Sequence, residues 1–178
     1  MTDPWLVVID PQRIFASPDS DWCSPMFADI VAPVRRLAEA YADRLILTRW
    51  VAPQEPTGSW SAYMKAWPFA DRPADDPAFD LVPEMADLDA RVVSAPTFGK
   101  WREIEQVTGS EPHLIVTGVA TDCCVVSTVL PAADAGATLT VVADACAGST
   151  QENHQKALDV MALYPPQVTV RTTDEVLA

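Results

Sequence analysis

The sequence predicts an α/β fold: a mostly parallel sheet with helices packed on both faces. Short runs of continuous apolar, β-branched residues recur along the chain, as they do in strands buried on both sides. Between most of these runs lie segments with apolar residues at helical spacing. The alternation implies right-handed βαβ units, and hence three layers, α/β/α. With 178 residues, the chain is long enough to bury a sizeable core as one domain.

Residues 5–9, WLVVI, form the first buried run and end in Asp10, Pro11 and Gln12. Asp10 is either a turn former of the usual kind or a carboxylate delivered to the carboxyl edge of the sheet. Residues 28–42 have Ile30, Val34, Leu37 and Tyr41 at core spacing, with Arg35, Arg36 and Glu39 facing outward. Pro33 is expected in or near the first turn of that helix. Residues 45–47 are the second strand, leading into Thr48, Arg49 and Trp50.

The rhythm then breaks. Residues 51–96 contain Pro53, Pro56, Pro68, Pro73, Pro77, Pro83 and Pro96, interleaved with Trp60, Tyr63, Trp67, Phe69 and Phe79. A short helix is expected at 59–67. A long irregular excursion, about 51–90, is either a functional lid or binding loop, or a proline-stiffened surface segment anchored by its aromatics. Strands resume at 92–94, 114–117, 139–142 and 168–170, with a helix at 151–163. After the strand at 92–94 comes Lys100, flanked by Phe98 and Trp101; it either projects into a cleft or is simply solvated.

The stretch 114–129, LIVTGVATDCCVVSTV, passes from a buried strand through Gly118 into a helix over 123–135. Thr121 or Asp122 is the candidate N-cap. Cys123 and Cys124 then fall in the first turn, where free N–H groups and the helix dipole favour an anion. Cysteine is also one of the most buried residue types, so small core residues are the competing reading. Asp10, Lys100 and a cysteine all fall at the carboxyl ends of strands, where open α/β sheets bind ligands. That convergence favours catalysis.

Composition narrows the function classes. A formal net charge of −13 argues against nucleic acid or an anionic membrane as partner. The amino terminus lacks a basic region before its apolar run, and no apolar segment approaches membrane-spanning length. Cys23, Cys123, Cys124 and Cys146 form no C-x-x-C pair, so free thiols in a reducing cytoplasm are expected. No G-x-G-x-x-G follows the first strand, which disfavours dinucleotide binding.

V-I-Asp10-P-Q-x-x-Phe15, F-G-Lys100 and Gly118-V-A-T-D-x-Cys124-V resemble the isochorismatase-like cysteine hydrolases, a superfamily that includes nicotinamidases, N-carbamoylsarcosine amidase and isochorismatase. The resemblance implies a six-stranded, mainly parallel sheet of Rossmann-like order and an Asp10–Lys100–Cys124 catalytic triad. It places the nucleophile six residues after the glycine, at Cys124 rather than Cys123. It also implies a cis peptide before Ala120, and an oxyanion hole from the backbone N–H groups of Ala120 and Cys124. The Asp-x-His-x-x-x-His metal site of nicotinamidases is replaced here by 48–54, TRWVAPQ. With only His113 and His154 in the chain, neither a metal nor another cofactor is expected.

The reading that follows is a hydrolase of small-molecule amide or ureido C–N bonds, acting through a thioester on Cys124, with thiolate formation favoured by Lys100 and the helix amino terminus. Phe15, Trp50, Trp60 and Trp101, with Trp67, are expected to wall the substrate pocket. Cys123 is expected to lean away from it, since neighbours on a helix point about 100° apart. A homodimer is expected. The alternatives are a catalytically silent binding protein on the same scaffold, a vinyl-ether hydrolase, and a thiol-redox protein using the adjacent cysteines.

Overall fold

The computed structural model describes residues 3–178 and contains one six-stranded, fully parallel sheet in the order β3-β2-β1-β4-β5-β6. The strands are β1 (Trp5–Ile9), β2 (Leu45–Trp50), β3 (Arg91–Ala95), β4 (His113–Val119), β5 (Thr138–Ala147) and β6 (Val168–Arg171). The helices are α1 (Arg13–Ala16), α2 (Phe27–Ala40), α3 (Ser59–Ala66), α4 (Pro83–Ala86), α5 (Trp101–Thr108), α6 (Val126–Asp134), α7 (Gln151–Met161) and α8 (Thr173–Leu177). The predicted fold class holds.

Period-two alternation along each strand divides the core into two faces. Leu6, Val8, Leu45, Leu47 and Ile115 pack with Ile30, Val34 and Leu37 of α2. Val7, Ile9, Ile46, Leu114 and Val116 pack on the opposite face with Ile104 of α5, Val129 of α6 and Met161 of α7. Both strand faces are buried, so these strands read as unbroken apolar runs. Pro33 lies further into α2 than expected, because the helix already begins at Phe27.

Among the described residues no helix is long and apolar enough to cross a membrane.

The chain direction across the sheet reverses between β1 and β4, and the loops after these two strands diverge there to leave a crevice. Gly118, near the end of β4, has a φ of +106°, and a Cβ placed on it would lie 2.2 Å from the Ile9 carbonyl oxygen. Only glycine allows β4 to come this close to β1, immediately before Asp10. Gly118→Ala is therefore expected to cost about 3 kcal/mol or more in chemical unfolding, through overpacking and an unfavourable φ together. A loss below about 1 kcal/mol would show that the two strand ends can separate freely.

The excursion between β2 and β3 is ordered by its aromatics and by Gln12. Phe79 is fully buried, and its ring meets Trp50 at 5.5 Å. The Gln12 amide donates to the carbonyls of Trp50 and Phe79 at 2.8 and 2.7 Å and accepts from Trp50 N at 2.7 Å. One buried side chain thus ties the end of β1 to both ends of the insertion. The segment combines both expected characters, since Phe79 anchors it while Tyr63 and Trp67 reach a cavity wall.

Candidate active site

Three strand ends build the site. Asp10 follows β1 directly and adopts a φ of 47°, a left-handed conformation that a non-glycine residue holds only where its surroundings enforce it. The enforcing contacts come from Thr48 of β2. Asp10 N donates to Thr48 Oγ1 at 3.0 Å, and Thr48 Oγ1 donates to Asp10 Oδ1 at 2.6 Å. Asp10 and Lys100 are both fully buried, with Lys100 Nζ 2.9 Å from Asp10 Oδ2. Lys100 Nζ also donates to the carbonyls of Thr97 and Phe98, each at 2.8 Å. The ammonium thus pairs with the carboxylate through Oδ2, while Thr48 holds Oδ1.

Lys100 arrives from β3, two strands away from β1, and the close approach of Gly99 makes this reach feasible. A Cβ on Gly99 would lie 2.4 Å from the Ser127 carbonyl oxygen. Thr128 completes the junction: its hydroxyl accepts from Lys100 N at 3.0 Å and donates to Cys124 O at 2.7 Å. Thr48 and Thr128 hold the acid, cation and thiol segments in register. Sequence reasoning missed both roles, because a lone threonine carries no motif.

The turn after β4 differs from the expected helix start. Residues Thr121–Val125 form a π-helical turn, and α6 begins only at Val126. Neither Thr121 nor Asp122 caps it. Asp122 instead accepts from Ser149 N at 2.8 Å and Ser149 Oγ at 2.7 Å, while Thr121 Oγ1 pairs with His154 Nδ1 at 2.8 Å. The peptide between Val119 and Ala120 is cis. The Ala120 carbonyl accepts from Cys123 N and Val125 N, the N–H groups on either side of Cys124.

The wider turn places both thiols on the wall of one cavity of about 420 Å³. Cys123 is thus not turned away as expected from α-helical geometry: it is half-buried, and Cys124 is buried. Their contact sets their acidities apart. The neighbouring Cys124 thiol pulls Cys123 below its usual value. The same neighbour, then burial, then the Asp10 carboxylate, push Cys124 well above it, and Lys100 only partly offsets the rise. Burial beside a carboxylate thus favours the protonated Cys124 thiol and works against the thiolate that Lys100 favours.

Phe15 and Trp50 stand on the cavity wall as expected, as does Trp67, together with Trp22, Tyr63 and Phe98. Trp60 and Trp101 do not: Trp60 packs on Phe98 at 4.8 Å, and Trp101, which opens α5, packs against the core cluster that holds Ile104 and Val129. Trp22 had no strand or motif beside it to flag it, yet it contacts Trp50, Trp67 and Phe69 at 5.2, 5.8 and 5.0 Å. Burial raises the Tyr63 pKa to about 12, with smaller contributions from the two thiols, so its phenol stays protonated.

Residues 4–175 match the Isochorismatase domain family. The chain belongs to the isochorismatase family. Solved structures agree in fold. A cysteine hydrolase from Pseudomonas syringae pv. phaseolicola superposes with a TM-score of 0.82 at 20% identity, covering 98% of this chain and 90% of that one. An isochorismatase-like hydrolase from Alkaliphilus metalliredigens gives 0.79 at 18%, covering 99% and 97%. N-carbamoylsarcosine amidase from Thermoplasma acidophilum gives 0.75 at 18%, covering 99% and 100%. No curated protein sequence matches.

In this isochorismatase-family chain the two histidines are used elsewhere. His154 bonds Thr121, and His113 Nε2 pairs with Thr140 Oγ1 at 3.1 Å. Among the described residues no group of three or more His, Cys, Asp or Glu is placed to hold a metal ion.

Proposed function

We propose that the protein hydrolyses a carbon–nitrogen bond of a small amide or ureide through a covalent thioester on Cys124. The carrying observation is the fully buried Asp10 carboxylate, held 2.9 Å from the Lys100 ammonium at the same sheet edge as the buried Cys124 thiol. An acceptor of this kind can take a proton at the moment the thiol attacks.

As Cys124 Sγ bonds to the substrate carbonyl carbon, its proton moves to Asp10 and the carbonyl π electrons move to oxygen. Backbone N–H groups of Ala120 and Cys124 receive that oxyanion, each donor worth about 3–4 kcal/mol. Collapse breaks the C–N bond, and the proton on Asp10 goes to the leaving amine. Water then attacks the thioester, giving one proton to Asp10. The C–S bond breaks, and Cys124 regains the proton. Lys100 balances the charge of the buried Asp10 carboxylate, and each of the two would be stranded without the other.

Incubation with small primary amides and ureides should release ammonia and, after acid quench, leave an acyl adduct on the peptide containing Cys124. No ammonia and no adduct across such a panel would overturn the reading. The chemistry needs no metal, so prolonged chelation is expected to leave turnover unchanged; loss restored by added zinc would refute that. A homodimer belongs to the same proposal, because Val160, Leu163 and Tyr164 leave apolar surface exposed at 42, 77 and 40%. A monomer by light scattering at micromolar concentration would exclude it.

A further inference from the structure

We infer that the cavity above Cys124 selects amides or ureides whose acyl side carries an alkylammonium group, an inference that rests on the hydrolase reading of the same site. Its walls are aromatic on several sides. Trp22 meets Trp50 at 5.2 Å and 73° and Trp67 at 5.8 Å and 61°, while Tyr63 meets Phe98 at 5.3 Å and 76°. Rings at such angles present π faces in several directions around one space, which is how aromatic side chains receive a tetrahedral ammonium.

The charges on the wall point the same way. Among the described residues no lysine, arginine or histidine lines the cavity, and two carboxylates, Asp21 and Asp122, do. Asp122 is tied to Ser149, and Asp21 is exposed, with no cation within 4.0 Å among the described residues. Arg13 and Arg72 line a neighbouring groove that shares Asp21, and Arg72 is paired with Asp76. Lys100 brings no net charge, because Asp10 neutralises it in the fully buried pair. An anionic substrate would shed water beside two carboxylates with no cation to receive it. A cationic one gains the aromatic faces and Asp21 together.

Three substituted acetamides test this: cationic trimethylammonioacetamide, its neutral isostere 3,3-dimethylbutanamide, and anionic malonamate. Binding to the full-length Cys124→Ala variant, read by tryptophan fluorescence, removes differences in carbonyl reactivity from the comparison. The cation should bind about tenfold more tightly than the neutral isostere, and roughly a hundredfold more tightly than the anion. Asp21→Asn, made on the same background, should narrow the gap between cation and neutral isostere. Should Cys124→Ala not fold, the same order is read as protection of the wild-type cysteines from iodoacetamide. Equal or tighter binding of the neutral or anionic amide, or no binding of the cation, overturns the inference. If the cation binds best but the wild type releases no ammonia from any of the three, the hydrolase reading fails and the selectivity stands. If ammonia comes from the neutral or anionic amide and these also bind best, the selectivity fails and the hydrolase reading stands.

Discussion

Cys124→Ala is expected to lose turnover roughly a thousandfold or more, whereas Cys123→Ser keeps most of it. The two thiols share one cavity wall, so position on the wall does not separate them. Their surroundings do. Cys124 is buried and has its carbonyl held by Thr128, which also fixes Lys100 N. Cys123 is the more exposed thiol and the one shifted toward the thiolate. Alkylation by iodoacetamide should therefore reach Cys123 readily even though the chemistry runs through Cys124. Reactivity toward a small electrophile and catalytic role are separate quantities here. The measurement that decides is kcat for the two variants, with peptide mapping of a trapped acyl adduct. An active Cys124→Ala enzyme, or an adduct found on Cys123, would transfer the nucleophile to the neighbouring residue.

Lys100→Met is expected to abolish activity and destabilise the fold by about 3–5 kcal/mol, because it leaves the fully buried Asp10 carboxylate without its cation. Asp10→Asn should do comparable damage by stranding the ammonium among the Thr97 and Phe98 carbonyls. The double variant Asp10→Asn/Lys100→Met removes both charges and should recover much of the stability while staying inactive. That contrast separates the structural burden of the pair from its chemistry. Burial lowers the Lys100 pKa, but Asp10 and Cys124 more than offset it, so the net shift is upward. A raised lysine contributes stability in full below its unfolded value of about 10.4 and loses it only as pH rises through the folded value. In the wild type the Lys100 contribution should thus be present in full across the neutral range and fade only at strongly alkaline pH. Urea unfolding at several pH values checks it. A double variant no more stable than either single one would show that the stranded charge is not the source of the loss.

Much of the architecture was legible because its signals are local. Strands buried on both faces must be apolar at every position, so WLVVI and LIVT announce themselves. The motifs around Asp10, Lys100 and Cys124 were equally readable, since each combines a strand end with an uncommon side chain. Other local signals were present and passed over. Thr172 and Glu175 form a capping box that starts α8, and Trp101–Thr108 is an amphipathic helix after the Lys100 turn. The strands also run further than expected. β5 continues to Ala147 through Asp144 and Cys146, because its pairing with β4 resumes beyond an irregularity at Val116–Gly118.

By itself the sequence determined the fold class, the strand-end placement of the acid, the cation and the thiols, and the absence of a histidine pair after β2. These follow from residue identity and short-range pattern. Only the tertiary structure decided which side chains meet. Trp22 lies in an irregular stretch and joins the cavity through contacts with residues 28, 41, 45 and 47 positions away in the chain. Trp60, which looked equally suited, packs on Phe98. The π turn, the two-sided grip of Thr48 on Asp10 and the bridging of Lys100 to Cys124 by Thr128 likewise join segments 28 to 38 residues apart or alter a local helix by one hydrogen-bond step. Helix periodicity reports an average of 3.6 residues per turn, and a single wider turn leaves no mark in it. Cysteines 123 and 124 therefore point where the local hydrogen bonding at Ala120 directs them, and not where the average helix would.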